Sequence, residues 1–161
     1  MSHLLQIDQT VADDVEPILE LSRQTGVFDE EELATILELL NDYFSLGAQK
    51  SGYYFLSCRD DQRVIGFACY GPRALTQGTF DLFWIATAPS AGRQGVGRVL
   101  LERVAQEVKA MQGRLIIAET SGRPEYAPAR DFYEKHHYQL AATIADFYAP
   151  GDDLVMYVSR L

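Results

Sequence analysis

Positive charge is scarce in this chain, where 14 Lys and Arg face 23 Asp and Glu and leave a net charge of −9. A surface of that sign offers no basic face to a phosphate backbone, so no nucleic-acid partner is expected. Cysteine is almost missing, with two in 161 residues. Cys58 and Cys69 lie in separate strand-like runs without ligand or redox spacing, and both read as buried reduced thiols. His3, His136 and His137 share no ligand spacing either, and no metal is assigned. Long apolar runs are absent too: none approaches the ~18 residues of a membrane span. Residues 1–5 carry neither the basic start nor the apolar stretch of a signal peptide, which makes the cytoplasm the expected location. No repeat, low-complexity stretch or linker divides the sequence. With 47% hydrophobic residues, the expectation is one compact domain over residues 1–161.

What is present alternates strands and helices. Residues 4–7 read as a short first strand. Thr10 reads as the cap of a helix with Asp13 three residues on, and Val15, Ile18, Leu19 and Ser22 form its inner face. A second amphipathic helix covers residues 29–44, with Leu33, Ile36, Leu37, Leu40 and Phe44 in register and Gly47 beyond its end. The acidic start Asp29-Glu30-Glu31-Glu32 reads as a first turn answering the helix dipole. Residues 53–58 and 64–70 form a hairpin. The apolar run 80–87 is a fourth strand, and Leu140 to Tyr148 and Leu154 to Ser159 flank a Pro150-Gly151 turn of type II chemistry. The element order β-α-α-β-β-β-α-β-α-β-β is an α+β pattern.

The densest signal is Arg93-Gln94-Gly95-Val96-Gly97-Arg98, set between the fourth strand and a helical run over residues 99–111. A glycine-rich loop opening a helix points unpaired N–H groups outward at the positive end of the helix dipole. Two glycines let a pyrophosphate come close to that backbone, and Arg93 and Arg98 add charge. A dinucleotide fingerprint would want a third glycine where Leu100 stands, so the nicotinamide reading is the poorer one.

The sequence from Asp81 to Tyr138 resembles the GCN5-related N-acetyltransferase (GNAT) family. That family shows a strand, a Q/R-x-x-G-x-G/A loop, a helix, another strand and a helix ending A-x-x-F-Y-x-K-x-G-F/Y. Here these are Gly92 to Gly97, Arg114 to Glu119, and Ala129-Arg130-Asp131-Phe132-Tyr133-Glu134-Lys135-His136-His137-Tyr138. Three positions depart from the pattern. Gly92 replaces Gln or Arg, Tyr126 replaces a frequent Asn, and His137 stands for the glycine that takes a left-handed backbone, a conformation histidine tolerates better than most residues.

The resemblance implies a mixed, mostly antiparallel seven-stranded sheet splayed between strands 4 and 5, with about four helices. It implies direct acetyl transfer from acetyl-CoA to an amine of a small molecule or peptide, in a ternary complex without metal. Its alternative is a non-catalytic acyl-CoA sensor, and propionyl or succinyl donors fit the same fold. The cofactor residues it implies are Arg93, Gln94, Gly95, Val96, Gly97 and Arg98 for the pyrophosphate and Ile85, Ala86 and Thr87 for the pantetheine amides. Tyr133 is the implied acid for the departing thiolate. For the amine's proton, Asp81, fourteen residues before Gly95, is the first candidate, its pKa expected to rise among Phe80, Leu82 and Phe83; Glu119 is the second. Residues 121–128 and 146–153 are expected to shape the acceptor pocket, with aromatics and carboxylates holding an ammonium group. A homodimer fits the same reading.

Overall fold

Residues 64–71 are buried at every position, which is how a strand reads when both of its faces are covered. In the computed structural model, which describes residues 4–161, this run is β3 (Arg63–Pro72). His3 and the first two residues lie outside that description. β3 belongs to a seven-stranded sheet with β1 (Gln6–Gln9), β2 (Tyr54–Asp60), β4 (Thr79–Thr87), β5 (Leu115–Ser121), β6 (Gln139–Ala149) and β7 (Asp152–Arg160), in the order β1-β2-β3-β4-β5-β7-β6. β4 and β5 pair in parallel, whereas β1–β2, β2–β3, β5–β7 and β6–β7 are antiparallel. The parallel ladder joins Thr79–Leu82 to Leu115–Ala118 and ends there. The mixed sheet expected from the sequence is therefore present. The helices are α1 (Val15–Gln24), α2 (Glu30–Leu46), α3 (Ala48–Ser51), α4 (Val96–Ala110) and α5 (Ala127–Lys135). The described residues thus hold five helices, in keeping with the about four expected, the short one being a single turn, Ala48–Ser51, between Gly47 and Gly52, both at positive φ.

The residues group into two compact units, one reaching Gly71 and taking in Trp84–Gln106, the other formed by Pro72–Phe83 and Glu107–Leu161. In the first, α1 and α2 bury Ile18, Leu19, Leu21, Leu33, Ile36 and Leu40, and Tyr43 of α2 rests on Phe55 of β2 with centroids 5.4 Å apart. Leu37 and Phe44, expected on the inner face of α2, are 36% and 40% exposed, because the true stripe is narrower than the sequence pattern. The start of α2 is as read: Asp29 accepts from the Glu32 N–H while the Glu32 carboxylate accepts from the Asp29 N–H, both at 2.8 Å. In the second unit, β5 buries Ile116 and Ala118, and β7 buries Leu154 and Tyr157. β6 is the edge, exposed along its whole length.

Two expectations near the chain start need correction. The first strand is Gln6–Gln9, two residues later than read, since its register is set by β2, with Gln6 opposite Arg59. Thr10 does not cap a helix. It is buried, and its hydroxyl lies 2.8 Å from Ser57 Oγ, 47 residues away. The Asp14 carboxylate instead closes the 3-10 turn Ala12–Asp14 that precedes α1, its Oδ2 accepting from the Val11 N–H (2.9 Å), Ser57 Oγ (3.0 Å) and Arg59 Nη2 (2.6 Å).

Burial alone would raise the Asp14 carboxyl, but the Arg59, Val11 and Ser57 hydrogen bonds outweigh it and hold it below the usual range. A carboxyl depressed in the folded state adds stability that is complete above its unfolded value near ~3.9 and fades as pH falls through the lower folded value. Asp14→Asn is expected to cost about 1.5–3 kcal/mol at neutral pH by leaving the Arg59 guanidinium with only the more distant Asp8 carboxylate, 4.0 Å away. Urea unfolding of both proteins at pH 7 and near pH 3 checks this, the gap narrowing at the lower pH.

Candidate active site

The cradle belongs to the first unit. Pro89 opens a short 3-10 turn, Pro89–Ala91, and the chain then passes Gly92 and Gly95 at φ of 51° and 76°. A side chain at Gly95 would be strained at that φ, which is why glycine stands directly before α4. The helix starts at Val96, three residues earlier than the sequence pattern suggested, because Val96 is 2% exposed and anchors the first turn. A close approach places that turn: a Cβ at Gly66 of β3 would meet Val96 Cγ1 at 2.6 Å and Leu100 Cδ1 at 3.2 Å. The first intrahelical bond runs from the Val99 N–H to the Gly95 carbonyl at 3.1 Å. The Val96, Gly97 and Arg98 amides precede it and point out of the helix start, as an anion would require. Arg93 and Gln94 are exposed. Arg98 Nη1 lies 3.0 Å from Glu102 Oε1, one turn along the helix. Ile85, Ala86 and Thr87 follow the last residue of β4 that pairs with β5. These features fit a pyrophosphate held mainly by backbone, with Gly92 costing only a side-chain contact.

The titratable candidates belong to the second unit. Asp81 of β4 pairs with Ile117 of β5, so the two-residue period of strands puts the Asp81, Ile117 and Glu119 side chains on one face. Between the two carboxylates lies Arg73, a residue the sequence reading passed over. Its Nε is 3.0 Å from both Asp81 oxygens, its Nη2 is 2.6 Å from Asp81 Oδ1, and the same Nη2 is 3.0 Å from Glu119 Oε1. Hydrogen bonding to Asp81, opposed by burial and reinforced by Glu119, raises the Arg73 guanidinium still further above its ordinary value. The Asp81 side chain is 13% exposed and that of Glu119 34%. The apolar neighbourhood expected to govern Asp81 is thus joined by a cation that takes both of its oxygens.

Tyr133 is 7% exposed on α5, in a cluster with Phe132, Tyr138 and Tyr157 at centroid separations of 5.6, 5.4 and 5.7 Å. Burial pushes its phenol well above the usual tyrosine value, so it carries its proton at any neutral pH. The end of α5 is as the sequence suggested. His137 takes a left-handed φ of 70°, and the Tyr138 N–H reaches back to the Tyr133 carbonyl at 2.9 Å.

The strand-to-helix loop after β5 is braced from inside. Arg130 Nη1 donates to the Ser121 and Arg123 carbonyls at 2.7 and 2.9 Å, and Ser121 Oγ donates to Asp152. In the β6–β7 turn the Asp146 and Asp153 carboxylates accept backbone N–H groups at 2.7 and 3.0 Å, and Phe147 and Tyr148 are about half exposed. A cavity of about 510 Å³ between α1 and the β2–β3 hairpin holds none of the candidate residues. Among the described residues no group of three or more His, Cys, Asp or Glu could hold a metal, and no helix is long and apolar enough to cross a membrane.

Comparisons with known proteins agree with this geometry. No curated protein matches the chain in sequence. A GNAT-family protein from Desulfovibrio desulfuricans shares 37% identity over 98% of this chain and 99% of its own, with a TM-score of 0.94. The ribosomal-protein-S18-alanine N-acetyltransferase of Escherichia coli superposes with a TM-score of 0.77 at 19% identity, covering 98% of this chain and 94% of its own. YncA of Salmonella typhimurium, solved with its cofactor acetyl-CoA, does so at 0.72 and 17% identity over 98% and 94% of the two chains. At those identities the last two show the fold alone. The acetyltransferase (GNAT) family model matches residues 15–138, from the first residue of α1 through the cradle to the tyrosine that closes α5, and the chain belongs to that family.

Proposed function

We propose that this protein transfers an acetyl group from acetyl-CoA directly to a primary amine of a small molecule or a peptide. The observation that carries the reading is the intact cradle, with Gly95 held left-handed before α4 in a chain of this family. Acetyl-CoA, when bound, supplies the activated acetyl thioester. The backbone from Gln94 to Arg98 holds its pyrophosphate, and Ile85, Ala86 and Thr87 offer strand-like partners to the pantetheine amides. Tyr133 donates a proton from Oη to the departing thiolate. Of the two carboxylates, we assign proton removal from the amine to Glu119, which is more exposed and gives Arg73 a single oxygen. Asp81, with both oxygens on Arg73, anchors that guanidinium. Three carboxylate and guanidinium groups summing to −1 favour a cationic acceptor, in line with the sign of the whole chain. A homodimer would find its surface on β6, where Leu140, Ile144 and Phe147 are exposed.

The test is release of free coenzyme A from acetyl-CoA in the presence of spermine, kanamycin and a peptide with a free alanine N-terminus. Turnover on one of them supports the transferase. Tight acetyl-CoA binding with no release on any would favour the non-catalytic sensor. The cradle has its own check. Gly97→Val puts a branched side chain beside the phosphate-facing amides and is expected to weaken acetyl-CoA binding about tenfold or more, ~1.4 kcal/mol. Calorimetry showing equal affinity in a folded variant would remove the pyrophosphate from this loop.

A further inference from the structure

We propose that Arg73 is a positioning residue, a fixed guanidinium that ties Glu119 to Asp81 and holds the Glu119 carboxylate in the orientation needed to take a proton. The inference rests on the transferase reading above and adds to it a residue that neither the family pattern nor the chain's motifs single out.

Its support lies in how Arg73 is itself held. The residue follows β3 directly, and its N–H donates to the Thr79 carbonyl at 2.8 Å, fixing its backbone to the start of β4. The loop it opens is closed by Thr76, whose hydroxyl donates to the Arg73 carbonyl at 2.8 Å and lies 3.4 Å from the Thr79 carbonyl. Farther along, the Arg114 N–H donates to the Gly78 carbonyl at 2.6 Å and ties the loop's end to the start of β5. Both strands that carry the carboxylates therefore fix the ends of the loop that carries the guanidinium.

The side chain then spends its donors unevenly. Nε and Nη2 make a two-pronged contact with Asp81, and the second bond of Nη2 goes to Glu119. A fork of planar donors sets direction as well as charge, which a lysine ammonium on a flexible stem would not. The Glu119 carboxylate accepts from Arg73 Nη2, and the residue faces Met156 across the β5–β7 ladder. Arg73 is 40% exposed at its side chain, so simple ion-pair stability is a weak reason for three charged groups to converge there. Orientation of a working carboxylate is the stronger one.

The test compares Arg73→Gln, Arg73→Lys, Glu119→Gln and the Arg73→Gln/Glu119→Gln double variant, using coenzyme A release with spermine, kanamycin and the alanine-terminated peptide. Misplacing a reacting group by about 1 Å costs on the order of 10²-fold, so Arg73→Gln should lower kcat by roughly 10- to 100-fold. Acetyl-CoA affinity by calorimetry should stay at the wild-type value with the variant folded at the assay temperature, and a crystal structure of Arg73→Gln should show Glu119 turned from its present orientation. Because Arg73 acts through Glu119, the double variant should be no slower than Glu119→Gln alone, whereas independent roles would multiply. Arg73→Lys should recover only part of the loss. Multiplicative losses, full recovery with lysine, or an unmoved Glu119 would each overturn the proposal while leaving the transferase reading intact. A wild type that binds acetyl-CoA and releases no coenzyme A with any of the three amines overturns both.

Discussion

Tyr133→Phe is expected to lower turnover by about 10²- to 10⁴-fold, the usual contribution of a general acid, with acetyl-CoA affinity almost unchanged. The substitution removes one hydroxyl and leaves the ring among Phe132, Tyr138 and Tyr157, so packing is preserved. The phenol that burial pushes upward remains protonated through the working range. That is the right state for a donor, though it makes the phenol a weaker acid than a free tyrosine. The departing thiolate must therefore meet Oη directly, since a group with so little driving force is useful only at close range. Two measurements follow. Steady-state kinetics should place the loss in kcat, and the wild-type rate should show no alkaline limb from tyrosine ionisation below about pH 10. Near-full turnover in the variant would hand the thiolate's proton to water and leave Tyr133 as a packed aromatic.

How far the sequence reaches into this site follows from the distance over which each feature is fixed. The start of α2 needed only Asp29 and Glu32, three residues apart, and it is as read. The left-handed His137 and the Pro150-Gly151 turn are also local, with Gly151 at φ 81°. The glycine-rich turn was legible because Gly95 stands directly before the helix and Gly97 in its first turn. Its helix nonetheless starts earlier than the apolar spacing suggested, since Val96 is held by β3 through Gly66, thirty positions back in the chain. Thr10 looked like a cap because its local surroundings are those of one, yet its hydroxyl is spent on Ser57. Arg73 carried no signal at all. Its partners stand 8 and 46 residues away, and an arginine after Gly71-Pro72 reads as an ordinary loop cation until β4 and β5 lie side by side. What escaped the sequence was side-chain pairing across the sheet; what it held was backbone chemistry.

That pairing decides the second large effect. An acceptor amine of ordinary basicity, near ~10.4, is mostly protonated at neutral pH, and attack requires that proton to be gone. Glu119→Gln is expected to depress kcat/KM at pH 7 by about 10²- to 10⁴-fold. The deficit should shrink as the pH rises toward 10, because solvent then deprotonates the amine without help, while the wild type reaches its plateau earlier. Asp81→Asn acts differently if its carboxylate serves as the anchor of Arg73. It frees the guanidinium to close on Glu119 alone, and the loss should be smaller and equal at every pH. The two profiles thus separate the roles. A deficit in Asp81→Asn that high pH repairs, beside a Glu119→Gln profile parallel to wild type, would give the proton to Asp81, the residue whose offset from Gly95 first drew attention to it. Parallel profiles in both variants would leave the proton to a chain of water. In the expected result, one carboxylate moves a proton and the other, fourteen residues before Gly95, holds the guanidinium that aims it.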